Sequence, residues 1–151
     1  MIEDLDDQIP MMPPAHMRTK VLHLEAHARE MPQVELVTNH YHADGLYARE
    51  LFHPAGVLVV GKVHKREHFF IVTKGAVEVA MDDCKRTLKA GTVLVSKPGT
   101  KRALFAIEDA VYMTVHRTNK RNLDKIEKEL IEPDRKALFD ASNKLKVKEL
   151  T

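Results

Sequence analysis

Two histidines four residues apart, His64 and His68, lie in the stretch KVHKREH (62–68), where every side chain but Val63 carries charge or an imidazole. Imidazole titrates near neutral pH, so such a pair suits either metal ligation or proton transfer. Two imidazoles alone hold a divalent ion weakly, and Glu67 or His116 would have to complete a ligand set. Glu67 follows the opposite face of a regular strand from His68, which reads as a solvent-facing or interface carboxylate. Lys62 and Arg102 offer no lone pair while protonated. They can supply charge-assisted hydrogen bonds to an anion. The candidate ligand-binding set is therefore Lys62, His64, His68, Arg102 and His116, with His64 and His68 as a weak metal pair and no catalytic residue assigned. His23 and His27 stand at i, i+4, a spacing that can clamp zinc, but without a third ligand they read as a solvated helix face.

The composition sets the frame for that chemistry. The chain has 151 residues with 24 Lys+Arg against 22 Asp+Glu, a net charge of +2, and is 44% hydrophobic. One core is affordable at this length, and two sizeable domains are not. Near-neutral charge argues against a nucleic-acid binder. The longest apolar run, Val57 to Val60, is far below the roughly 20 residues of a membrane span. The start MIEDLDDQIP has four acids and no base, unlike a secretory leader, so a cytoplasmic location is expected. A single cysteine, Cys84, excludes an internal disulfide or a CxxC pair.

All six glycines fall between residues 45 and 99, where turns alternate with short runs rich in Val, Ile, Leu and aromatics. Eight strands are expected: 46–52, 57–63, 68–73, 76–81, 84–89, 92–96, 102–107 and 110–117. Strands at this spacing predict an all-β jelly-roll sandwich over 45–118. Val77, Val79, Met81, Phe70 and Val72 are the expected core, and on the last strand Val111, Met113 and Val115 take the inner face, turning Tyr112 and His116 outward. The run Val57–Val60 does not alternate and needs cover on both faces. The flanks divide the chain into an N-terminal arm and short helix (1–44), the β domain (45–118) and a helical extension (119–151). Residues 1–14 read as an extended Pro-containing arm, Thr19–Met31 as a helix ended by Pro32, and Leu123–Leu130 as a helix capped by Asn122. Pro133 would open a further helix through Leu138 and Ala141, His40–His42 reads as a loop, and KLKVKELT (144–151) as a solvated tail.

The segment 56–75 followed by 91–102 resembles the paired motifs of the cupins. In that superfamily a His-x-His is followed by a Glu seven residues before a turn glycine, and a last ligand follows a Pro-x-Gly turn. Counting from Gly75, His68 takes the Glu position, His64 the second His, Lys62 the first, and Arg102 the last-ligand position after Pro98 and Gly99. The resemblance implies a cupin-type jelly-roll β-sandwich with flanking helices and a degenerate metal site. The wording MPQVELV, GLYARELFHPAG, GKVHKREH, PGTKR and TVHRT, over about residues 31 to 132, is similar to small single-domain cupins encoded by bacteriophages. VHKREH before Gly75 also resembles, more weakly, the cupin nucleotide-sugar ketoisomerases, which use imidazoles as acid and base.

The resulting expectation is a non-catalytic phage accessory or virion-associated protein with no cofactor, self-associating as a homodimer or larger homo-oligomer and contacting other phage proteins. Its location would be the host cytoplasm or the virion. The alternatives are a binder of a small anionic or nucleotide-like ligand, through Lys62, His64 and Arg102, and an enzyme using His64 and His68 with or without a divalent metal.

Overall fold

A computed structural model of the chain describes residues 14–80, 85–134 and 137–146. The arm before Pro14, the core candidate Met81, Cys84 and the end of the tail lie outside these residues. The element order is α1 (Pro14–Ala28), β1 (Thr38–Ala43), β2 (Leu46–His53), β3 (Leu58–Val60), β4 (His68–Lys74), β5 (Ala76–Ala80), β6 (Lys85–Lys89), β7 (Val93–Ser96), β8 (Ala103–Ala106), β9 (Ala110–Arg117) and α2 (Leu123–Leu130). The strands form two antiparallel sheets, ordered β1-β2-β9-β4-β7 and β3-β8-β5-β6, packed as a jelly roll.

All eight expected strands form, and a ninth precedes them. Thr38–Ala43, read as a loop around His40–His42, is an edge strand running antiparallel to β2. Its sequence TNHYHA has no β-branched apolar alternation, and its backbone order comes from pairing with β2 rather than from propensity.

Register organises the inner face. Tyr47 pairs with His116 and His68 with Ser96 at one end, Arg49 with Thr114 and Thr114 with Phe70 in the middle, and Leu51 with Tyr112 and Tyr112 with Val72 at the other end. Leu36, Leu51, Phe70, Val72, Val77, Val79, Leu88, Leu94, Leu104 and Tyr112 are the buried core, as Phe70, Val72, Val77 and Val79 were expected to be. The orientation expected for β9 is reversed. Tyr112 and His116 are buried inside, whereas Val111, Met113 and Val115 are half-buried on the outer face beside the exposed Phe69 and Val93. Both faces of β9 carry large side chains, so alternation alone could not say which was inside.

The flanks close the sandwich. Helix α1 starts at Pro14, where a missing N–H costs nothing. It ends at Ala28 in a tightened turn, with Gln33 Nε2 donating to the Ala28 carbonyl at 3.1 Å. It lies against β3 and β8, burying Val21, and Glu25 meets the buried Lys101 at 3.1 Å. The non-alternating run at Val57–Val60 thus gets its second cover from the N-terminal flank, and His23 and His27 remain exposed. In α2, Asn122 Oδ1 accepts from Lys125 N at 3.1 Å, and Ile126 and Leu130 pack on Tyr47. The helix expected after Pro133 does not form among the described residues. There the chain runs irregularly, with an isolated bridge between Phe139 and Leu145. The start of the tail is tied down as well, since Leu145 N donates to Glu35 Oε2 at 2.6 Å.

The turn between β4 and β5 is the tightest constraint. Gly75 has φ +74°, and a Cβ there would lie 2.2 Å from the Asp109 carbonyl oxygen. Gly75→Ala should therefore destabilise by about 3 kcal/mol or more, against about 1 kcal/mol for Gly56→Ala, whose positive φ faces open space. Equal losses in urea unfolding of the two variants would contradict this account.

Candidate functional site

The loop between β3 and β4 carries His64, and it is fastened from two sides. Gly99 N donates to the His64 carbonyl at 2.9 Å from the turn before β8. After α2 the chain pairs with the loop: Lys65 N donates to Leu130 O at 2.7 Å and Glu132 N to Val63 O at 2.9 Å, a bridge between His64 and Ile131. Side chains reinforce it. Lys62 Nζ bonds Glu127 and donates to Phe139 O at 3.0 Å, Lys65 Nζ donates to Lys128 O at 2.8 Å, and Arg66 pairs with Glu129 at 3.0 Å. The basic character of KVHKREH is thus largely spent on docking α2. Lys62 lines the cavity but its ammonium serves this dock.

The clamp sets His64 over the two histidines that β4 and β9 present. Ring centroids are 4.1 Å apart for His64–His68, 4.6 Å for His68–His116 and 5.2 Å for His64–His116. One nitrogen from each ring lies within 4.8 Å of the others, the three-ligand cluster found among the described residues. Tyr47 stacks on His116 at 5.8 Å, and His42 and His40 stack on Tyr47 in turn at 5.3 and 5.9 Å. His68 Nδ1 is 3.1 Å from the Arg66 carbonyl and donates to it, which leaves Nε2 with its lone pair. His116 Nε2 is 2.8 Å from Thr114 Oγ1.

The site opens into a cavity of about 450 Å³, within the usual range for small-molecule pockets. Leu36, Leu51, Phe70 and Leu104 make apolar walls, and two cations enter from opposite sheets. Arg102 stands 5.7 Å from the Phe70 ring centroid, where the π-face attracts it. Arg49, inward on β2 between Tyr47 and Leu51, is the residue that the sequence reading missed. Tyr47, Arg49, Leu51 and His53 alternate, so the core side chain Leu51 already marked Arg49 as inward. Its Nε is sealed from solvent with no hydrogen-bond partner, and burial lowers its pKa. His53, also buried, is fully occupied: Nε2 donates to Val57 O at 2.6 Å and Nδ1 lies 3.1 Å from the Tyr112 hydroxyl.

All three clustered imidazoles are held below their ordinary pKa, with burial the first cause in each. His64 is well below, with His68, His116, Arg49 and Arg102 adding repulsion. His116 is pushed down to about 3, helped by His68 and Arg49. His68 is lowered despite its bond to Arg66. At neutral pH the cluster therefore presents uncharged rings with lone pairs, the state that a divalent cation requires. The imidazole donor set fits such a metal. Of the five sequence candidates, His64, His68 and His116 converge, Arg102 faces the same cavity, and Lys62 is turned to α2.

The unfolded chain takes up protons near the ordinary histidine value of 6.5, which the folded cluster refuses. The cluster's neutrality is thus costless above that pH, and stability falls as the pH drops from about 6.5 toward 3, where folded His116 protonates. Thermal unfolding of metal-free protein should show a midpoint declining between pH 6.5 and 4, with a flatter decline in His116→Gln. Identical pH profiles for the two proteins would count against the buried neutral cluster.

Residues 49–116 match the family profile described as the cupin domain. Among solved structures, the chain is similar to a conserved double-stranded β-helix protein from Klebsiella pneumoniae, at 17% identity over 60% of this chain and 84% of that one, TM-score 0.50. A cupin-2 domain protein from Shewanella frigidimarina matches at 20% identity over 68% and 99%, TM-score 0.47. KdgF from Halomonas sp. matches at 22% identity over 60% and 86%, TM-score 0.49. No curated protein matches the chain. At these identities the likeness establishes the fold, a cupin jelly roll.

Proposed function

We propose that this cupin-fold chain is a small-molecule-binding protein that holds a divalent metal on His64, His68 and His116. The observation that carries the reading is the convergence of three uncharged imidazoles, His68 and His116 buried and His64 half-buried, on an apolar cavity. The accessory, non-catalytic role expected from the sequence rested on the loss of ligands at Lys62 and Arg102. A third imidazole from β9, outside the paired motifs, stands in for one of them. A bacteriophage origin finds no support among the comparisons.

When bound, such a metal supplies Lewis acidity or a water of lowered pKa. The chain's own residues do the rest. The Arg66 carbonyl orients His68, and the Thr114 hydroxyl steadies His116. The α2 dock holds His64 in reach, and the apolar walls exclude water from whatever enters. Catalysis at this cluster, through the chemistry such a metal supplies, is part of the proposal.

The test is metal stoichiometry. EDTA-treated protein titrated with cobalt(II) should take up one equivalent with visible d–d absorption, and His116→Ala and His64→Ala should each abolish stoichiometric uptake. Failure of the folded wild type to bind cobalt, zinc, iron, manganese or nickel stoichiometrically would overturn the reading. Retained uptake in His116→Ala would remove β9 from the ligand set.

A further inference from the structure

Arg49 is the group in this cavity that the fold leaves unexplained. It sits in the middle row of the inner sheet, between the ring cluster and the apolar core, opposite Thr114. Arg49 is half-buried with its Nε closed off from solvent, and a guanidinium N–H so placed is ordinarily bonded and matched by a carboxylate. Here Nε has no hydrogen-bond partner, and Glu127 and Asp140 act on the group only through their charge. Glu127 is itself engaged by Lys62. The residues beside it, Tyr47 and Thr114, are neutral, and the nearby imidazoles are uncharged. Desolvating a cation whose counter-charges, Glu127 and Asp140, make no contact with it costs stability, and no packing role requires an arginine at a position flanked by Tyr47 and Leu51 on one strand.

We propose that Arg49 is the anchor for an organic monocarboxylate. The carboxylate of the ligand accepts hydrogen bonds from the guanidinium fork, and its hydrocarbon body lies along Leu36, Leu51, Phe70 and Leu104. The shape of the cavity supports an amphiphilic ligand: about 450 Å³, cationic where Arg49 and Arg102 enter, apolar along the rest. A planar fork is the side chain that matches a carboxylate in two-point geometry. This deepens the reading of the cavity as a small-molecule site, and it places the acid group within the same chamber as His64 and His116 without depending on a metal there.

The experiment uses EDTA-treated full-length protein in calorimetric titration with hexanoate, octanoate and benzoate, against hexanol, benzyl alcohol, hexylamine and inorganic phosphate. At least one carboxylate should bind at least about tenfold more tightly than its alcohol, as expected for hydrogen bonds to a charged partner. Arg49→Met should erase that preference. It should also unfold, without ligand, at a temperature equal to or above that of the wild type, because a binding cation has been removed rather than a structural one. Should Arg49→Met fail to fold, the acid-against-alcohol comparison on wild type decides by itself. Equal affinity for acid and alcohol overturns the proposal, as does binding of phosphate without any carboxylate. Absence of cobalt uptake with hexanoate binding intact would sink the metal reading and leave this one standing; the reverse pattern would do the opposite.

Discussion

The pairing register of β2, β9 and β4 is the constraint on which the remaining structure depends. Because side chains alternate, fixing Tyr47 opposite His116 and Leu51 opposite Tyr112 sorts every inner residue into a polar, a mixed or an apolar row. A slip of one residue would send His116 and Tyr112 outward and bring Val111, Met113 and Val115 in. The core could tolerate that exchange in hydrophobicity alone. What forbids it is the pair of cross-strand contacts that only the observed register makes, Tyr112 with His53 and His116 with Tyr47. Leaving the buried His53 without its Tyr112 partner would cost about 1–3 kcal/mol.

The second dependency runs from α2 to the loop at 61–67. The exposed ion pair Arg66–Glu129 contributes little by itself, about 0–1 kcal/mol. The larger contribution is apolar, since Ile126 and Leu130 against Tyr47 each bury a side chain worth about 1.5–3 kcal/mol. Tyr47 therefore has two tasks: it packs against Ile126 and Leu130 of α2, and it stacks on His116. The helix steadies the ring cluster both through Tyr47 and through the backbone bridge to His64.

The sequence made the strands legible because turn chemistry and short apolar runs recur together, and it made α2 legible through its cap and its i, i+4 pair Ile126–Leu130. It also placed His64 and His68 in a common frame. It did not reveal β1, which, Thr38 and Tyr41 apart, has little strand propensity and is ordered by a neighbour. It misplaced His116, because an apolar outer face on β9 imitates a core face. It assigned Lys62 to a ligand, since a charge near an imidazole looks the same whether its partner is an anion or a helix. Long-range pairing decides these points, and a periodicity argument sees only one strand at a time. Arg49 is a different case: the alternation with Leu51 contained the information, and the rarity of buried arginine obscured it.

The chamber is walled by two parts of the chain with different histories available to them. The segment 49–116 supplies Arg49, the three histidines and Phe70, whereas Ala28, Leu36, Ile126 and Leu138 come from outside it. The first group is pinned by strand pairing, where a replacement disturbs neighbours on both sides. The second lies on helices and irregular chain that can change length or sequence while the sheets keep their register. Divergence among chains built on this plan would accordingly run along the flanks first, altering the outline of the chamber while keeping its histidine end, so that relatives could part in the shape they enclose long before they part in the polar groups they present to it.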